Sequence, residues 1–147
     1  MKVVLQQISE GSEEIRIRYR QMTEQIEEIV HYIEGQGDKL IGMKDGQQFM
    51  LRPYDVIYLE SVEGTAYLYT EKEVYRSSLT LMAAERAYGD EGYFRCSKSM
   101  VVNIYRIQKL QSMPGNRIDV TMDNGEHVVI SRRYAKELRS ILKGEMR

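Results

Sequence analysis

The sequence predicts a mainly β domain with two short helices, preceded by a small α/β extension at the N-terminus. Three observations carry this. From Leu40 onward, short apolar runs are separated by turn pairs, with Asp45-Gly46 and Asn124-Gly125 as hairpin signals. The run Ile118-Asp119-Val120-Thr121-Met122 alternates with the period of a half-buried strand. Helical spacing is confined to short stretches beginning near Thr23, Leu79 and Ser131.

In chain order, Lys2 to Ile8 and Glu14 to Arg20 read as strands around the turn Gly11-Ser12, the second alternating apolar with charged residues. Ile26, Ile29, Val30 and Ile33 then fall at helical spacing, with Thr23 as cap and Gly35-Gln36-Gly37 as stop. The outer face of this helix, Glu24, Glu27, Glu28 and Glu34, is acidic, which suits either a solvated helix or a docking surface. Leu40 to Met43 and Gln48 to Leu51 form a hairpin closed by Pro53. Val56 to Glu60 is a strand running into a loop over 61–65, and 66–70 and 74–77 make a second pair. A helix over 79–87 stops at Gly89. Strands over 106–111, 118–122 and 127–130 follow. The last helix opens at Ser131 and runs to Leu142, with Tyr134 or Ala135, Leu138, Ile141 and Leu142 as its buried stripe.

At 147 residues the chain can bury a core without staples. The single Cys96 forms no internal bridge, no apolar run approaches a membrane span, and the first residues lack a signal peptide's apolar centre. A cytoplasmic protein with no membrane insertion is expected. His31, His127 and Cys96 stand isolated, so neither a metal site nor a Cys-His nucleophile is expected. No glycine-rich phosphate loop precedes a helix, and neither a cofactor nor an enzyme activity is expected. Charge is unevenly spread, net -7 over residues 1–91 and +6 over 92–147. Such a dipolar chain can turn its basic end to phosphate.

Two segments of that basic end stand out. Phe94-Arg95-Cys96-Ser97-Lys98-Ser99 sets cations and hydroxyls beside the apolar anchor Met100-Val101-Val102-Asn103. In the other, Ser131 is a suitable cap but Arg132 and Arg133 occupy the first helical turn, where the helix dipole already presents positive charge. An anion held there turns that repulsion into attraction.

These runs, with Asp55 to Ser61 upstream and Asn124-Gly125 and Val129 to Tyr134 downstream, closely resemble the LytTR family of bacterial DNA-binding domains over about residues 40–142. The resemblance implies packed antiparallel sheets that read double-stranded DNA from loops. It places DNA contacts on the loop through Thr65 and Ala66, on the turn at Ser97, Lys98 and Ser99, and on Ser131, Arg132 and Arg133. Arg133 is the candidate base reader, since a guanidinium can bond guanine O6 and N7 together. Lys98 can meet a base or a phosphate, Arg132 and Ser99 are positioning contacts, and Arg95 anchors the loop or touches backbone. Small residues in the first loop, and Ser97 where many members carry His, are departures from the family pattern.

The family usually sets a receiver domain before this module, and about forty preceding residues leave no room for one. Residues 1–39 are therefore read as a dimerisation or partner element and 40–147 as the DNA-binding module. The expected function is a homodimeric transcriptional regulator, with an unidentified regulatory partner protein as a further possibility. The alternative is an adaptor acting through the acidic helix.

Overall fold

The computed structural model describes residues 1–33 and 39–144, apart from the side chain of His31. The chain divides into two units, Met1–Gln36 and Gly37–Arg147. The expected stop at Gly35-Gln36-Gly37 lies outside the described residues.

In the first unit, helix α1 (Glu24–Ile33) forms where the spacing placed it. Thr23 caps it, its hydroxyl accepting from the Ile26 amide at 3.3 Å and its carbonyl from the Glu27 amide at 3.0 Å. Ile26 is buried and Ile29 and Val30 are half-buried. The strands expected over 2–8 and 14–20 do not form. A strand's amides and carbonyls need a neighbouring edge, and no described strand of this chain pairs with either segment.

In the second unit, β1 (Leu40–Lys44) and β2 (Gln47–Leu51) make the first hairpin. Asp45 and Gly46 both take positive φ, 52° and 75°, as a two-residue turn of this hand requires. A 3-10 turn at Pro53–Asp55 follows, then β3 (Val56–Val62), β4 (Thr65–Thr70) and β5 (Val74–Ser77). The loop expected over 61–65 is instead a tight turn of Glu63 and Gly64, at φ 51° and 83°, because Ser61 and Val62 stay paired with Ala66 and Thr65. Helix α2 (Leu81–Tyr88) starts two residues later than expected, since Thr80 caps it by accepting from the Ala83 amide at 3.1 Å. β6 (Tyr93–Ser97), β7 (Met100–Asn103), β8 (Ile107–Met113), β9 (Arg117–Met122), β10 (His127–Ile130) and α3 (Arg132–Leu142) complete the order. Arg106 falls in a 3-10 turn rather than in the strand expected from that residue.

All pairings are antiparallel, in a seven-stranded sheet of order β2-β1-β5-β4-β3-β7-β6 and a three-stranded sheet of order β10-β9-β8. Adjacent residues of β6 and β7 point to opposite faces, and both faces are buried. Phe94, Cys96 and Val102 pack with Ile118, Val120 and Ile130 of the small sheet and with Ala135 and Leu138 of α3. Tyr93 and Val101 pack with Leu59 and Leu68 and with Leu81 and Ala84 of α2. Each fully buried aliphatic side chain contributes about 1.5–3 kcal/mol. These two cores therefore fix the β6–β7 hairpin from both sides. Leu142, expected in the buried stripe of α3, is 44% exposed, because Ile141 takes the core side of that last turn.

Candidate nucleic-acid interface

The β6–β7 hairpin turns on Lys98 and Ser99, and its geometry is set by a bulge. Arg95 pairs with Val101 and Ser97 with Met100, which leaves Cys96 as the extra residue. The Cys96 carbonyl, free of the ladder, accepts from the Ser131 amide at 2.8 Å. On the other side, the Ser99 carbonyl accepts from the Ser61 amide at 2.8 Å. These two bonds bring the β3–β4 turn, the turn at 97–99 and the start of α3 side by side.

Arg95 braces the middle segment. Its Nε donates to the Ser97 carbonyl at 2.8 Å and its Nη2 to the Lys98 carbonyl at 2.6 Å, while Nη1 lies 3.6 Å from Glu85. Of the two roles considered, anchoring the loop is the one this geometry performs. The Ser97 hydroxyl accepts from the Ser99 amide at 3.3 Å, closing the turn on itself. Lys98 and Ser99 remain exposed.

At the start of α3, Ser131 occupies the cap position but its side chain makes no capping bond. The Ser131 carbonyl accepts from the amides of Tyr134 and Ala135, both at 3.0 Å. The amides of Arg132 and Arg133, the first two helical residues, precede the first of these bonds, and no acidic residue stands in this turn. Arg132 and Arg133 are exposed, and among the described residues no ion pair involves either of them or Lys98. The Arg133 guanidinium lies 5.4 Å from the centre of the Tyr134 ring, which meets Phe94 edge-on at 6.3 Å. A core aromatic thus supports the platform on which Arg133 rests.

The third segment contributes differently from expectation. Ala66 is only 6% exposed and belongs to the core, so its side chain is withdrawn from any ligand, and Thr65 is half-buried. The exposed residues there are Val62, Glu63 and Gly64. Sequence reasoning passed over Ser61, whose role is carried by its backbone amide and leaves no side-chain signal.

Other reactive groups lie apart from this chemistry. Burial pushes the Cys96 thiol up to about 12, so it stays protonated at neutral pH. His127 is exposed and its Nδ1 sits 3.0 Å from Asp119. Tyr58 stacks on Tyr69 at 4.4 Å, and burial, then its hydrogen bond to Glu126, raise its pKa so that it remains a hydroxyl. No helix of the described residues is long and apolar enough to cross a membrane.

A family model described as the LytTr DNA-binding domain matches residues 46–143. The chain is similar to the sensory transduction protein LytT of Bacillus anthracis, 30% identical over 89 residues, which cover 60% of this chain and 36% of that protein. It spans just over a third of the length of that relative. It is 25% identical over 130 residues to an uncharacterised HTH-type transcriptional regulator of Staphylococcus aureus, covering 87% of this chain and 88% of the relative. In this fold α2 and α3 are separated by five strands. A solved LytTr DNA-binding domain from Bacillus cereus superposes with a TM-score of 0.68 at 24% identity, covering 72% of this chain and 97% of that one.

Proposed function

The chain belongs to the LytTr DNA-binding domain family, and from that premise we propose that it is a transcriptional regulator docking on promoter duplex DNA as a homodimer. The observation that carries the reading is the joining of three segments by the Ser61–Ser99 and Ser131–Cys96 bonds, with Lys98, Arg132 and Arg133 exposed on two of them. Arg133 reads a guanine edge, Arg132 and the open amides of α3 hold a phosphate, and Ser97, Ser99 and Ser131 position the backbone. Lys98 adds a phosphate or base contact. Thr65 contributes at most a rim contact, and Ala66 none through its side chain. The protein acts in the cytoplasm.

Substitutions at the two exposed tips test this. Arg133→Ala is expected to cost about 1–3 kcal/mol in specific binding and to relax preference at one base pair. Lys98→Ala is expected to weaken binding to all duplexes and, if it meets a phosphate, to lower the log-log salt slope by about 1. A Lys98 variant with unchanged affinity and slope removes that residue from the interface. The adaptor reading draws on the exposed Glu24, Glu27 and Glu28 of α1. It prevails if reversing the charge of Arg132 and Arg133 leaves regulation intact while substitutions at those glutamates abolish it.

A further inference from the structure

The positive charge of α3 does not end at its first turn. Arg132, Lys136, Arg139 and Lys143 fall at i, i+4, i+7 and i+11, which sets cations on one stripe of the helix and its C-terminal cap. The Arg139 Nη2 donates to the Ser112 hydroxyl at 2.8 Å, so the stripe lies on the side of α3 that faces β8. Glu137, the acidic residue of α3, lies across the helix, lining a cleft with Glu85 and Arg95. Arg132, Lys136 and Lys143 are exposed, and among the described residues no ion pair involves any of these cations or Arg139. Like charges three and four residues apart repel and weaken a helix. The helix dipole offsets this near the C-terminus, at Arg139 and Lys143, but opposes Arg132 and gives Lys136 nothing. The arrangement gains once a row of anions lies along it.

We infer that the stripe is a backbone track, in which Lys136, Arg139 and Lys143 bind further phosphates of the duplex that Arg132 engages. This deepens the proposed DNA docking and rests on it. At 1.5 Å per residue, Lys143 stands about 16 Å along the helix axis from Arg132. One strand of duplex DNA carries a phosphate about every 3.4 Å of its axis, so α3 lying along the backbone spans about five base pairs. Continuity with Arg132 selects the duplex over another polyanion, since one ligand then meets the whole stripe. Phosphate contacts carry no sequence information, so the track adds affinity and footprint length without adding specificity.

The test is the salt dependence of binding by the full chain to the duplex upstream of its own gene and to a scrambled duplex. Lys136→Gln, Arg139→Gln and Lys143→Gln keep helix-forming side chains. Each is expected to lower the log-log salt slope by roughly 1, and the three together by roughly 3. The triple variant is expected to lose affinity for both duplexes by the same factor, which leaves the preference between them unchanged. Lys136→Arg and Lys143→Arg keep the charge and are expected to keep the slope. Lys72→Ala, which removes an exposed cation between β4 and β5, is expected to leave it unchanged as well. A slope lowered by the charge-keeping variants, or lowered by Lys72→Ala as much as by a stripe substitution, overturns the track. A changed preference in the triple variant places these residues on bases and overturns the backbone assignment. A wild type that binds neither duplex at low salt overturns the DNA-binding reading and the track with it. A wild type that binds, with a triple variant of unchanged slope, overturns the track alone.

Discussion

Two buried side chains show how single residues secure the interface. Asn103 donates from Nδ2 to the Val56 carbonyl at 2.9 Å and accepts at Oδ1 from the Tyr105 amide at 3.1 Å. Asn103→Ala leaves both backbone groups without a partner, and a loss of about 2–4 kcal/mol is expected in urea unfolding. A loss below about 0.5 kcal/mol would mean that water or local rearrangement satisfies them. Cys96 is expected to react slowly with thiol reagents in native protein at neutral pH and rapidly once urea unfolds it, since burial keeps it protonated. Fast native labelling would contradict that. At this scale the sequence singles out Arg132 and Arg133, because cations in a first helical turn oppose the helix dipole and need a reason, and the structure leaves both of them, with Lys98, exposed. Ala66 and Leu142 were misread because burial depends on where a tight turn and a helix end fall against the core, which periodicity does not encode.

At the scale of elements, the β6–β7 hairpin is the part on which the site depends. Its bulge at Cys96 frees the carbonyl that seats α3, and Arg95 holds two carbonyls of its turn. Arg95→Ala is expected to cost about 1–3 kcal/mol of stability and to weaken DNA binding further, by loosening the turn that carries Lys98. Arg95→Lys is not expected to restore binding, because one ammonium lacks the planar fork that meets both carbonyls. Full rescue by Lys would show that charge, not bracing, is what Arg95 supplies. The hairpin at Asp45-Gly46 could be read directly, since its residues are those that adopt positive φ most readily. The turn at Glu63-Gly64 could not, because Glu at positive φ is uncommon and sequence alone suggests a longer loop. The strand expected over residues 14–20 does not form, because alternation alone supplies no edge to pair with.

Across the whole molecule, the basic end reached by counting charges is only partly available to a ligand. Arg106 is buried, pairs with Asp123 at 2.5 Å, donates to the Tyr54 carbonyl at 2.8 Å and covers the Tyr54 ring. It belongs to the fold, whereas Lys98, Arg132 and Arg133 face solvent. The sheet order, with β5 inserted between β1 and β4, rests on long-range pairings that no local signal announces. Antiparallel hairpins were readable, and their assembly was not. The measurement that tests the central claim most directly is fluorescence anisotropy of the full chain on the duplex upstream of its own gene and on a scrambled duplex, across a salt series. Tight binding to the first duplex, far weaker binding to the second, and affinity falling steeply with salt is the result predicted. No binding to either duplex at low salt would contradict it.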